Sequence, residues 1–171
     1  MSIKKYSTVF VEGETEQKLF NDFKLLRNHP IKRVIKINLW TNDVRKILPS
    51  FDEVHHIIIL FDTDDLSGIK QFQKNLDALL VKRHHIYLFQ QTSNFEHELV
   101  FSCRCNEQKL LSEFCQKIQS LDNFKKAFIK STTRLSKLEK IGLDKSLLWK
   151  RGLIEQLSNR SKHISSYADY F

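Results

Sequence analysis

Glycine and proline are scarce in this chain, at 4 and 2 of its 171 residues. No stretch rich in Gly, Pro or Ser divides it, and no internal repeat or low-complexity tract runs through it. At this length those absences predict one domain without a linker. Cysteine is sparse too. Cys103, Cys105 and Cys115 form no disulfide framework, and their spacing lacks the paired C-x2-4-C knuckles of a structural zinc site. Reduced, mostly buried thiols are the expectation. No apolar run approaches the roughly eighteen residues that a membrane span needs. The opening MSIKKYS leads into a strand too short for the apolar region of a signal peptide. A soluble cytoplasmic protein with no membrane partner is therefore expected. The phosphate-cradling pattern GxxxxGK[ST] is also missing, which excludes a P-loop NTPase.

What the chain does hold is an ample core and an excess of positive charge. Hydrophobic residues make up 41% and include 13 phenylalanines, while charged residues make up 28%. A chain of this size buries roughly 70% of its unfolded surface, enough for a core without staples. Lysine plus arginine outnumber aspartate plus glutamate by 28 to 20, a formal charge of +8. That balance favours a polyanionic partner, nucleic acid first among them.

The hydrophobic pattern changes character near Glu96. Before it, Ser7–Val11, Val34–Leu39, His56–Phe61 and His85–Phe89 read as strands. Helical spacing fills Glu14–Leu26, a short stretch Asn42–Phe51 broken by Pro49, and a segment from Ser67 or Gly68 to Lys82. The run HIIILF is continuous and β-branched, as in a parallel strand buried on both faces. This alternation predicts an α/β fold: a mainly parallel, Rossmann-like sheet of about four strands flanked by helices, over residues 1–100. Residues 101–171 read as a basic helical extension packed on that core, with helices at Leu110–Leu121, Asn123–Ile129 and Ser146–Leu157. Lysines and arginines from Lys125 through Arg160 and Lys162 crowd this part.

Ligands of open α/β sheets sit at the carboxyl ends of the strands, and here two strong strands end in acids. VFV runs into Glu12-Gly13, with Glu14 and Glu16 following, and HIIILF runs into Asp62-x-Asp64-Asp65. Glu12 and Glu16 are four apart and share one side of a first helical turn; alone they would read as acids suited to the helix dipole. Clustered aspartates repel one another unless a cation or basic partner compensates them. Oxygen-only ligands of this kind suit magnesium or manganese. A phosphotransferase with an aspartyl nucleophile is a second use for Asp62 and Asp64, although in such enzymes the D-x-D usually ends the first strand.

An apolar strand ending in Glu-Gly, a helix, and a strand ending in D-x-D about 50 residues on resembles the Toprim domain of topoisomerases, bacterial primases and several nucleases. The resemblance spans about residues 6 to 100. EGETE (Glu12 to Glu16) and SNFEHEL (Ser93 to Leu99) look most like the OLD-family nucleases and the RloB-like proteins of phage-defence loci. Carried over residue by residue, it implies a one- or two-metal centre of Glu12, Glu16, Asp62, Asp64 and Glu96, with Glu12, Asp62 and Asp64 catalytic. Glu14 has no counterpart. The chain departs from the wider family in lacking room for a nucleophilic tyrosine domain or a zinc module, and Gly68 falls four residues after Asp64 where three is usual. The ATPase domain of the OLD nuclease is missing, so any ATP-dependent activity would need a separately encoded ATPase partner.

Other residues carry weaker signals. His97 reads as a surface residue, a proton shuttle or a phosphate-binding group. The pairs His55-His56 and His84-His85 precede strands, at the sheet edge away from the acids. Lys130, Arg134 and Lys137 read as a stripe that is either a solvated face or a phosphate-contacting ridge. The expectation is a Toprim-like nuclease that cleaves DNA or RNA with Mg2+ or Mn2+, with a role in phage defence. The alternative is a module on the same scaffold that binds nucleic acid or a partner without cleaving. The sequence leaves a homo-oligomer open.

Overall fold

HIIILF lies where its composition requires, in the interior of the sheet. In the computed structural model, which describes residues 7–26, 31–50, 56–82, 84–117, 119–158 and 164–166, strand β3 (His56–Asp62) is buried from Ile57 to Phe61. It pairs with β1 (Ser7–Val11) on one side and β4 (His85–Gln91) on the other. Outside them lie β2 (Ile31–Lys36), beside β1, and β5 (Ile164–Ser166), beside β4. The order is β2-β1-β3-β4-β5 and every pair is parallel. This is the Rossmann-like α/β arrangement that the spacing predicts, with one strand more. The added β5 comes from the tail, whose short IleSerSer run carries little apolar signal.

Side-chain alternation sends the strands into two cores. Val9, Val11, Ile58, Leu60 and Phe89 face α1 (Glu14–Leu26) through Leu19, Phe20 and Phe23. Phe10, Ile57, Ile59, Phe61, Ile86 and Leu88 face α2 (Ile69–Val81) through Phe72, Leu76 and Leu79. The helices after β1 and β3 therefore cover opposite faces, and the sheet is buried on both sides.

The extension completes the first core. Helices α3 (Phe95–Ser102), α4 (Glu107–Phe114) and α5 (Leu121–Lys130) contribute Phe95, Phe114, Phe124 and Phe128, whose rings meet at 5.2–5.4 Å, and α6 (Arg134–Lys140) adds Leu138. Such ring pairs add roughly 0.5–1.5 kcal/mol each beyond the area they bury. A division at residue 100 falls inside α3, and with β5 in the sheet the tail is part of the fold's framework.

Three expected helices differ. Leu110–Leu121 does not run through: α4 ends at Phe114, Cys115 is extended backbone, and α5 begins only at Leu121. Asn42–Phe51 forms two short 3-10 turns, Val44–Lys46 and Leu48–Ser50. The buried Asn75 of α2 holds this loop: its Oδ1 accepts from Val44 N at 2.9 Å, and its Nδ2 donates to Leu39 O and Asn42 O at 2.8 and 2.7 Å. Ser146–Leu157 shrinks to turns followed by α7 (Glu155–Ser158). Trp149 has φ +56°, in the left-handed region, so a right-handed helix cannot run through it. Its ring stacks on Phe20 and Phe89 at 5.1 and 5.3 Å, and the backbone yields to that packing. His55, Arg160, Lys162 and the expected helix end at Phe51 lie outside the described residues. No helix among the described residues is long and apolar enough to cross a membrane.

Candidate functional site

The strand order reverses between β1 and β3: the chain leaves β1 for one edge and β3 for the other. That reversal opens a crevice at the carboxyl ends of the two strands. Glu12 directly follows β1, and Asp62 is the last residue of β3. Glu16 stands in the first turn of α1 and Glu96 in the first turn of α3.

The loops hold these acids in place. Glu12 Oε1 accepts from the Asp62 backbone N–H at 3.2 Å, which ties the two strand ends together. Its Oε2 accepts from Asn38 Nδ2 at 3.4 Å, and Asn38 Oδ1 accepts from Trp40 N at 2.8 Å. Thr63 N donates to Ser93 O at 3.0 Å, and Ser93 N donates back to Thr63 Oγ1 at 2.9 Å. This stitch sets the start of α3, where Asn94 Oδ1 caps His97 N at 3.0 Å and Glu96 follows in a fixed position.

Gly13 is needed for space. A β-carbon there would stand 2.5 Å from Glu16 Oε2. Glu16 is 4% exposed and accepts from Thr15 Oγ1 at 2.8 Å. Glu96 is 2% exposed, and Lys125 Nζ of α5 stands 3.6 Å from its Oε1.

The electrostatics tie all five carboxylates together. Burial pushes the Asp62 carboxyl up to about 9, and the charges of Glu16, Glu12, Asp64 and Glu96 push the same way. Burial raises Glu12 to about 7 against the Asp62 N–H, which favours its charged form; Glu16 and Asp64 raise it further. Glu16 is raised by burial and by Glu96, with the Thr15 hydroxyl and Lys125 opposing. These carboxylates are therefore close enough to resist one another's ionisation.

Asp62 Oδ1 is buried without a hydrogen-bond partner, and Glu96 Oε1 is buried with no hydrogen bond but within ion-pair range of Lys125. Orphaned carboxylate oxygens in an acid cluster fit a hard divalent cation in charge and donor chemistry. Among the described residues, however, no three His, Cys, Asp or Glu side chains stand already arranged to hold one. The acids converge without closing on a point.

No family model, curated protein or solved structure matches this chain. The site is therefore read from its own geometry.

The remaining expected residues divide. Glu14 and Asp64 are exposed, and Asp65 caps its own loop by accepting from Ser67 N at 2.8 Å. His97 is exposed; His56 packs on Tyr87 with Nδ1 3.1 Å from its hydroxyl. The stripe of Lys130, Arg134 and Lys137 does not form as expected, because α5 ends at Lys130 and a new helix starts at Arg134. Lys130 is exposed. Arg134 is buried; it pairs with Asp22 of α1 at 2.7 and 2.9 Å and donates to the carbonyls of Phe128, Ile129 and Ser131. It is a buried clamp between helices and presents no open face of the kind a phosphate ridge needs. Lys137 Nζ donates to Glu113 O at 3.2 Å and lies 5.0 Å from the Phe114 ring centre.

Sequence reasoning passed over Asn38, Thr15 and Lys125 as site residues. Asn38 and Thr15 were visible as polar residues beside strand-end acids. Lys125 carried no signal, since only the packing of α5 distinguishes it from its lysine neighbours. Glu98 was also missed: its buried carboxylate accepts from Trp149 N at 2.6 Å and pairs with Arg151.

Proposed function

We propose that this chain is a divalent-metal-dependent phosphodiesterase that cleaves nucleic acid. The observation that carries the reading is the orphaned Asp62 Oδ1 at the switch point, surrounded by the charges of Glu12, Glu16, Asp64 and Glu96. Crowded, largely buried carboxylates destabilise a fold unless bound protons or a cation offset their charge. Asp62, Asp64 and Glu12 would hold the ion, and Glu16 and Glu96 a second. Magnesium or manganese, when bound, supplies positive charge to a phosphodiester and makes water more acidic.

The chain's own residues then have distinct tasks. The Asp62 N–H and Asn38 amide orient Glu12, so that its carboxylate faces the crevice as ligand or proton acceptor. Lys125 partly offsets Glu96 and admits an anionic substrate to an otherwise repellent site. The +8 charge draws nucleic acid toward it. The resemblance to OLD-family and RloB-like proteins extends the reading to cytoplasmic phage defence beside a separately encoded ATPase.

A second reading, a non-cleaving module on the same scaffold, is favoured by the lack of any closed three-ligand group among the described residues. Incubating the protein with DNA and RNA in Mg2+ or Mn2+ separates them. Cleavage that Asp62→Asn abolishes supports the nuclease. Binding without cleavage by the wild type, with either ion, supports the module.

A further inference from the structure

Beside Glu96, α3 presents a second feature on a different face. His97 and Phe101 lie four apart on α3, and Arg104 follows two residues beyond its end, where the backbone turns through φ +49°; all three are exposed. With Val100, Cys105, Leu147 and Arg151 they line an open groove of about 670 Å³. An exposed phenylalanine alone would mean little. Phe101, 39% exposed, is backed on one face: the Arg151 guanidinium carbon lies over its ring, 4.5 Å from the centre, and Arg151 is anchored by the buried Glu98. The platform is therefore organised before any ligand arrives. Arg104 projects into solvent with its side chain 70% exposed, paired with the partly exposed Asp144 at 3.1 Å. A surface pair of this kind opens at little cost.

We propose that this groove binds a single-stranded segment of nucleic acid, one base stacking on Phe101 and the adjoining phosphates meeting His97 and Arg104. The proposal rests on the nuclease reading for its ligand class and adds which form of nucleic acid is taken. An aromatic platform flanked by cations suits unpaired bases, whose faces are free. A duplex keeps its base faces stacked and would meet only the cations. His97 and Glu96 are neighbours on α3, so one short helix carries both the groove and an acid of the site.

The test is fluorescence anisotropy in EDTA, with labelled DNA and RNA strands of about 12 nucleotides and with the same sequences as duplexes. Wild type should prefer single strands. Phe101→Ala should weaken single-strand binding about ten-fold or more and leave the duplex within about two-fold, while Phe101→Trp retains affinity. Arg104→Glu, at an exposed position, should weaken single-strand binding without altering thermal stability; it carries the test if Phe101→Ala fails to fold. Equal losses on both forms from Phe101→Ala, no loss of single-strand binding in either variant, or a wild type that prefers duplex would overturn the groove. The nuclease reading fails by a different result, the absence of metal-dependent cleavage, which leaves strand preference measurable.

Discussion

Between Gly13 and Glu16 the chain leaves no room for a β-carbon, and a small residue thereby determines where a buried carboxylate lies. Gly13→Ala should fold with little change in stability. By displacing Glu16 Oε2 it should weaken Mn2+ binding about ten-fold, measurable by calorimetric titration; unchanged affinity would leave Glu16 outside the site. Glu12→Gln keeps the side chain's size and its bond to the Asp62 N–H but removes the charge. Cleavage should fall at least about a hundred-fold, while nucleic-acid affinity holds or rises because a repelling charge has gone. Cleavage rates for both proteins decide it. At this scale the acids were legible because charges crowded at strand ends stand out in any sequence. Asn38 and Lys125 were not, since their roles come from loop and helix packing.

Strands β1, β3 and β4 and helix α2 were legible because their apolar periods are unbroken, from HIIILF to the Phe72, Leu76, Leu79 face. The second strand, expected at Val34–Leu39, forms three residues earlier at Ile31–Lys36, since its half-polar alternation marks its ends poorly. The tail was not legible. Trp149 trades helical backbone for a stack between Phe20 and Phe89, and nothing in the local spacing reveals that exchange. Arg134 shows the same limit, since its stripe spacing hides a buried clamp between α1, α5 and α6. Arg134→Ala should destabilise the fold by about 3 kcal/mol in denaturant titration, because Asp22 and the carbonyls at the end of α5 lose their donors. Lys130→Ala, at an exposed position, should leave stability unchanged. Comparable effects from the two would contradict the distinction.

Across the whole molecule, a net +8 surrounds a pocket of acids. Nucleic-acid affinity should therefore fall steeply with salt, as neutralised phosphates take back their counterions; a flat response would remove the electrostatic account. The acid pocket makes a further prediction for stability. Glu12 and Asp62 are raised to about 7 and about 9, well above their unfolded values near 4. Over that window the native state holds more protons than the unfolded chain, so stability falls as pH rises. Their favourable contribution is complete below about pH 4 and gone above about pH 9. A divalent ion on these carboxylates replaces the protons and restores the loss. The most direct measurement is thermal unfolding of wild type and Asp62→Asn from pH 5.5 to 9, with and without Mg2+ or Mn2+. Metal-free wild type should lose about 5 °C or more toward high pH and regain it with the ion, while the variant shows a shallower loss and little response. Equal metal-induced shifts in both proteins, or none in either, would contradict a cation centre at the strand ends.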